Sequence, residues 1–156
     1  MQLDPQRVRE VVLNESVLID KQGILGLYEA VRKMMGFGLG GLLYRAGKNA
    51  GHRSADLLAQ RLNVQGEELL AALTIAFNTA RWGQAELQRT AGDTWTLVVR
   101  DSVLGANMQS KKPVCHPIAG YWAGFLERAL GRSVDVREVA CMATGAPACR
   151  FEVRLK

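Results

Sequence analysis

Apolar positions in the first half of the chain recur at helical spacing. Leu27, Val31 and Met34 share one face of a pattern that starts at Gly23 and runs to Lys33. Ser54–Leu62 repeats it with Leu57, Leu58 and Leu62. The clearest segment opens with Gly66-Glu67-Glu68, whose two carboxylates complement a helix N-terminus. Leu69, Leu73, Ala76 and Ala80 follow on one face, and Gly83 closes it. Beyond Gly83 the period shortens to two. Ala85 and Leu87 alternate with polar residues, as do Trp95, Leu97 and Val99 on the far side of Ala91-Gly92-Asp93. A three-residue loop there pairs Leu87 with Leu97 and Ala85 with Val99, keeping the apolar set on one face; a two-residue loop would split it.

A polar, irregular stretch, Asp101–Lys112, precedes a helix with readable ends. Pro117 suits the first helical position, Ile118, Trp122, Phe125, Leu126 and Ala129 form the apolar stripe, and Gly131 is the stop. Gly120 and Gly124 on that helix admit the close approach of another backbone. The chain finishes with two strands, Ser133–Cys141 and Cys149–Leu155, joined by a turn around Gly145 and Pro147. Helices first and antiparallel strands later predict an α+β fold. A helical N-terminal layer packs on an antiparallel sheet of about four strands, with a helix between the two hairpins. No linker, repeat or composition break divides residues 1–156, so one domain is expected.

Composition narrows the class. A 48% hydrophobic content is ordinary for a globular protein and excludes bulk disorder. The longest apolar stretch, Met34–Tyr44, is interrupted by Gly36, Gly38, Gly40 and Gly41 and falls short of the roughly 20 residues that span a bilayer. The start carries no signal-peptide core, so a cytoplasmic location is expected. The net charge of +5 comes from basic residues scattered along the chain. No basic run or nucleic-acid motif accompanies them, so direct nucleic-acid binding is not expected. An anionic membrane or acidic partner is the lesser alternative to a solvated surface.

The chemistry lies near the C-terminus. Three cysteines, Cys115, Cys141 and Cys149, are an odd number and cluster after residue 114. In a reducing compartment such clustering points to metal or redox chemistry before a disulfide framework. A hairpin centred on Gly145 sets Cys141 opposite Cys149, with Cβ atoms about 4.5–5.5 Å apart. That suits two thiolates on one zinc ion, yet it also lies near disulfide geometry, and buried inert thiols are a third reading. Cys115 sits just before the Pro117 helix, where backbone N–H groups favour a thiolate. A closed tetrahedral site needs a fourth ligand, and His116 and Glu138 are the candidates. Strand phase bears on the choice. With regular alternation Glu138 faces away from Cys141, and Val134 and Val136 face away from Phe151 and Val153. One extra residue near Val139–Ala140, a β-bulge, repairs both faults.

The segment PVCHPIAGYWAGFLERALGRSVDVREVACMATGAPACRFEV resembles the C-terminal half of the 4-vinyl reductase domain family, with LLYRAGKNAG and RWGQAEL fitting more loosely upstream. That family includes ligand-sensing domains of aromatic-responsive transcription activators and a protein of bacteriochlorophyll biosynthesis. Its fold is similar to that of subunits of the TRAPP vesicle-tethering complex. The resemblance implies structural zinc on a Cys-x22-Glu-x2-Cys-x7-Cys pattern, which falls here on Cys115, Glu138, Cys141 and Cys149. It also implies dimerisation and a ligand pocket between the helical layer and the sheet.

Three functions follow as expectations. The first is a zinc-bound binding or sensor module for a small apolar or aromatic ligand, with Trp95, Tyr121, Trp122 and Phe125, and also Trp82, as candidate lining residues. The second is a tetrapyrrole carrier or assembly factor, for which His52 and His116 are candidate pigment ligands. The third is a structural assembly subunit without ligand. No catalytic residue is assigned. Intrinsic vinyl reduction is not expected, because the glycine run Gly36–Gly41 follows no strand and has no suitable acid about 20 residues on.

Overall fold

The computed structural model describes residues 2–156. Four helices come first: α1 Pro5–Glu15, α2 Lys21–Met35, α3 Leu39–Leu62 and α4 Gly66–Thr79. A hairpin of β1 Gln84–Arg89 and β2 Thr94–Arg100 follows, then helix α5 His116–Leu130 and the strands β3 Val134–Ala140 and β4 Cys149–Leu155. The architecture is the α+β one expected. All strands are antiparallel in the order β1-β2-β4-β3, so the two hairpins meet along β2 and β4.

The register confirms both pattern arguments. Leu87 opposes Leu97 and Ala85 opposes Val99 across the first hairpin. In the second, Glu138 opposes Phe151 while Ala140 opposes Arg150, so Val139 is the extra residue of a bulge. The bulge turns Val139 outward, half exposed, and keeps Val134, Val136, Phe151 and Val153 together in the core.

Helix α5 carries the packing. Its buried residues occupy nearly its whole circumference, from Ile118 and Ala119 through Trp122 to Ala129, because one face meets β3 and another meets α3. The α3–α5 contact is built on four glycines. A Cβ on Gly120 would lie 2.0 Å from Tyr44 O, and one on Gly124 would lie 2.2 Å from Lys48 O. Reciprocally, Gly47 and Gly51 of α3 face Pro117 O and Tyr121 O at 2.2 and 2.1 Å. No side chain fits between these backbones.

Three elements depart from expectation. Helix α1, capped by the Asp4 carboxylate on Gln6 N–H, has no strong periodic signal, since it buries only Val8. Helix α3 extends far upstream of Ser54, through glycines that read as breaks and serve as contacts. Asp101–Lys112 is irregular, as expected, but Ser102, Val103, Leu104, Gly105 and Met108 within it are buried.

Candidate metal centre and neighbouring cavities

The cysteines converge from separate elements. Cys115 precedes the first turn of α5, Cys141 follows the bulged end of β3, and Cys149 begins β4. Glu138 reaches the same point from β3 because the bulge restores its phase with Cys141. One donor atom from each of Cys115, Glu138, Cys141 and Cys149 lies within 4.8 Å of all the others. All three cysteines are fully buried and none forms a disulfide. His116, the other candidate fourth ligand, is not in this cluster; its ring packs over Gly40 of α3.

Hydrogen bonds hold the cluster in place. The Cys115 backbone N–H donates to Glu138 Oε2 at 2.9 Å, and the Met142 N–H points to Cys149 Sγ at 3.4 Å. The Cys141 carbonyl accepts from Thr144 and Ala146, which folds the turn back under the thiol. Ser102, which sequence reasoning missed, is fully buried; its Oγ lies 3.3 Å from Cys115 Sγ and accepts from Gly105 N–H. Gly105 is packed against the sulfurs, since a Cβ there would stand 2.7 Å from Cys149 Sγ.

The electrostatics are those of an anionic site without a counter-charge. Burial, and then the neighbouring Cys141, push the Glu138 carboxyl up to about 9. Its Oε1 is buried with no hydrogen-bond partner. Cys115 is driven far up by its sulfur neighbours and burial, while Cys141 is held at about 4 as the thiolate that accepts from them. No lysine or arginine forms an ion pair with the cluster among the described residues. An orphaned carboxylate oxygen and crowded thiols, with no protein cation, fit a bound metal ion.

Tyr28 of α2 ties a distant element to this centre. Its hydroxyl donates to Val114 O at 2.5 Å, one residue before Cys115. Burial, then the negative charge at Cys115, push the phenol up to about 12.

The candidate lining residues divide. Tyr121 and Phe125 pack at 4.3 Å between ring centroids, and Trp122 packs on Phe125 and Phe77. Tyr121, Phe77 and Trp82 wall an apolar cavity of about 300 Å³ with Gly47 and Ala50 of α3 and Pro117 and Ile118 of α5. Phe125 lines a smaller neighbour of about 120 Å³, beside the Ser54–Tyr121 hydroxyl pair. Trp122 is fully buried, its indole N–H has no acceptor, and it lines neither cavity. Trp95 belongs to the sheet and is covered by Arg89, 4.9 Å from its ring. Both cavities lie among helices rather than between helices and sheet. His52 is engaged by Glu127 at 2.7 Å.

This fold and this cluster define an α+β domain whose terminal hairpin and second-half helix share a thiolate–carboxylate centre. Residues 95–155 match the 4-vinyl reductase domain family, and the chain carries a domain of that family there. Among relatives, it is 34% identical to the bacteriochlorophyll synthase 23 kDa chain of Cereibacter sphaeroides over 62% of this chain and 49% of that one. The chain therefore spans about half of that subunit. It is 27% identical to an uncharacterized protein of Methanocaldococcus jannaschii over 85% of this chain and 76% of that one. Among solved structures, the fold is similar to the phenol-responsive sensory domain of the transcription activator PoxR, with TM-score 0.77 and 19% identity, covering 90% of this chain and 76% of that one. It is also similar to a vinyl-4-reductase family protein of M. jannaschii, with TM-score 0.64 and 21% identity over 97% and 92% of the two chains. A trafficking protein particle complex subunit 3 from Naegleria fowleri matches with TM-score 0.64 and 14% identity over 98% and 97%. No helix among the described residues is long and apolar enough to cross a membrane.

Proposed function

We propose that residues 1–156 work as one zinc-bound binding or sensor module for a small apolar or aromatic ligand, without catalytic activity of its own. The observation that carries this is the geometry of the donors. With zinc–sulfur bonds of about 2.3 Å, the edge of a tetrahedral site is about 3.8 Å. Cys115 Sγ and Cys149 Sγ stand 3.7 Å apart. Glu138 Oε1 supplies the fourth donor and ceases to be an orphan. Three thiolates and a carboxylate fill a four-coordinate ion and leave no position for an activated water, so the zinc is structural. It staples the terminal hairpin to the start of α5, and α5 walls the 300 Å³ apolar cavity. That volume suits a single aromatic ring with small substituents. Fold similarity to a phenol-responsive sensory domain supports the same reading.

The module acts in the cytoplasm as a homodimer in this reading. Helix α2 buries only Leu25 and exposes Leu27 and Met34, with Phe37 exposed just past its end, an apolar face suited to a second copy. Tetrapyrrole handling is the second reading, favoured by the similarity to the bacteriochlorophyll synthase chain.

Native mass spectrometry of protein from its own host tests metal, ligand and oligomer together. One zinc per chain and a bound aromatic or tetrapyrrole are expected. Metal-free protein from a chelator-free preparation would overturn the zinc assignment. Absence of a thermal shift with phenols, indoles and porphyrins would overturn the ligand assignment. A bound aromatic at a hundredfold excess over its Kd stabilises the fold by about 2.7 kcal/mol.

A further inference from the structure

A larger groove, separate from the apolar cavity, opens between α2, the start of α3, residues 108–114 and the Met142–Gly145 turn; its volume is about 990 Å³. Its charge is of one sign. Arg32, Lys111, Lys112 and His116 line it, and no aspartate or glutamate does. Most acidic side chains elsewhere are taken up by ion pairs, as Glu127 is by Lys48 and Asp56 by Arg128. Arg32, Lys111 and Lys112 form no ion pair among the described residues, and the Glu138 carboxylate is turned inward to Cys115.

The groove also has apolar walls. Leu39 and Val114 are buried at its floor, and Leu43 and Met142 flank them. Unpaired cations around an apolar floor are complementary to a ligand with an anionic head and a hydrocarbon body. An inorganic anion would leave most of this volume unused. A nucleotide base would find only Tyr28 as an aromatic platform.

We propose that this groove is a second ligand site, which takes an anionic amphiphile bearing a carboxylate or a phosphate head. Arg32, Lys111 and Lys112 hold the head, and Leu39, Leu43, Val114 and Met142 receive the apolar body. Val114 and Met142 are sequence neighbours of Cys115 and Cys141, so the metal centre fixes one wall, while Tyr28 fixes the other by its bond to Val114.

Titration calorimetry on the full, metal-loaded chain with octanoate, octyl phosphate, octanol and inorganic phosphate tests this. Octanoate, octyl phosphate or both should bind, and whichever does names the head group; octanol and inorganic phosphate should bind much more weakly. Added salt should weaken the anions. Replacing all three cations together (Arg32→Gln, Lys111→Gln, Lys112→Gln) should weaken them about tenfold or more, the sum of three partly exposed ion contacts. These side chains lie outside the core, so metal content and melting temperature, read in parallel, should not change. That readout also separates this proposal from the zinc and aromatic-ligand readings. Octanol binding as well as octanoate, binding by none of the probes, or full binding by the triple variant would each overturn it.

Discussion

The backbone N–H of Cys115 donates to the carboxylate of Glu138 at 2.9 Å, across a separation of 23 residues. This contact joins the start of α5 to the bulged strand through the same carboxylate whose other oxygen is buried without a partner. Glu138 is thus half used by the protein and half left for a metal.

The first prediction follows from that division. Cys141→Ser and Cys149→Ser should lose zinc and lower the melting temperature, because metal binding energy is here also folding energy. Glu138→Gln keeps the acceptor for Cys115 N–H but loses the charge, so it should bind zinc more weakly than the parent and more tightly than either serine variant. Gly105→Ala removes no ligand, yet its Cβ would meet Cys149 Sγ at 2.7 Å, so it should weaken zinc as well. Competition with a chromophoric chelator ranks all four. Full zinc in both serine variants would refute the ligand set.

The second prediction concerns the glycine crossing. Gly124→Ala must push α5 away from α3, because Lys48 O, a backbone atom, lies 2.2 Å from the new Cβ. Overpacking of this kind costs about 1–3 kcal/mol or more. Gly124 does not line the apolar cavity, whereas Gly47 of the same crossing does, so Gly47→Ala should both destabilise the fold and weaken ligand binding. Urea denaturation gives the first quantity and ligand titration the second. A stability equal to the parent in either variant would contradict the crossing geometry.

How far these features are legible in the sequence depends on the range of the signal. The bulge at Val139 is readable because two separate apolar sets, Val134 and Val136 against Phe151 and Val153, demand the same phase shift as Glu138 and Cys141. The first hairpin is readable from the loop length that keeps Leu87 opposite Leu97. Helix α3 is not, because Gly40, Gly41, Gly47 and Gly51 carry poor helix propensity, and the role of Gly47 and Gly51 emerges only when α5 is laid against them. The same holds for Asp101–Lys112. Ser102 and Gly105 look like loop residues until the sulfurs are placed beside them. The cavities cannot be positioned from sequence either, since their walls are set by the α3–α5 crossing rather than by any one periodic face.

Tyr28 supplies the third prediction. Helix α2 buries only Leu25, and the Tyr28–Val114 hydrogen bond is its link to the metal centre. Tyr28→Phe should cost about 1 kcal/mol and act locally. Amide exchange within residues 21–35 should accelerate while zinc content stays at the parent level. Unchanged exchange in α2 would show that other contacts hold it.

The last prediction is a pH dependence set by Glu127. Its carboxylate accepts from Lys48 Nζ and His52 Nε2, both at 2.7 Å, and from the Val134 backbone N–H at 3.0 Å. Burial alone would raise its pKa, but the Lys48 ion pair, the Val134 N–H and His52 outweigh it and hold the group below the ordinary glutamate value of 4.5. A carboxylate with a depressed folded value contributes stability that is complete above its unfolded pKa. That contribution is lost as pH falls through the folded value. Glu127 joins α5 to α3 and to the first residue of β3, so this loss should loosen the crossing itself. At neutral pH, Glu127→Gln should cost about 1.5–3 kcal/mol, since charge-assisted hydrogen bonds at a mostly buried side chain are removed. Below 4.5 the parent carboxyl becomes neutral and resembles the glutamine, so the gap between the two proteins should close as acid is added. Metal release in acid affects both proteins and cancels in the difference. Parallel thermal melts across the acid range measure that gap. A gap that stays constant down to the acid limit would mean that Glu127 acts through packing and not through its charge.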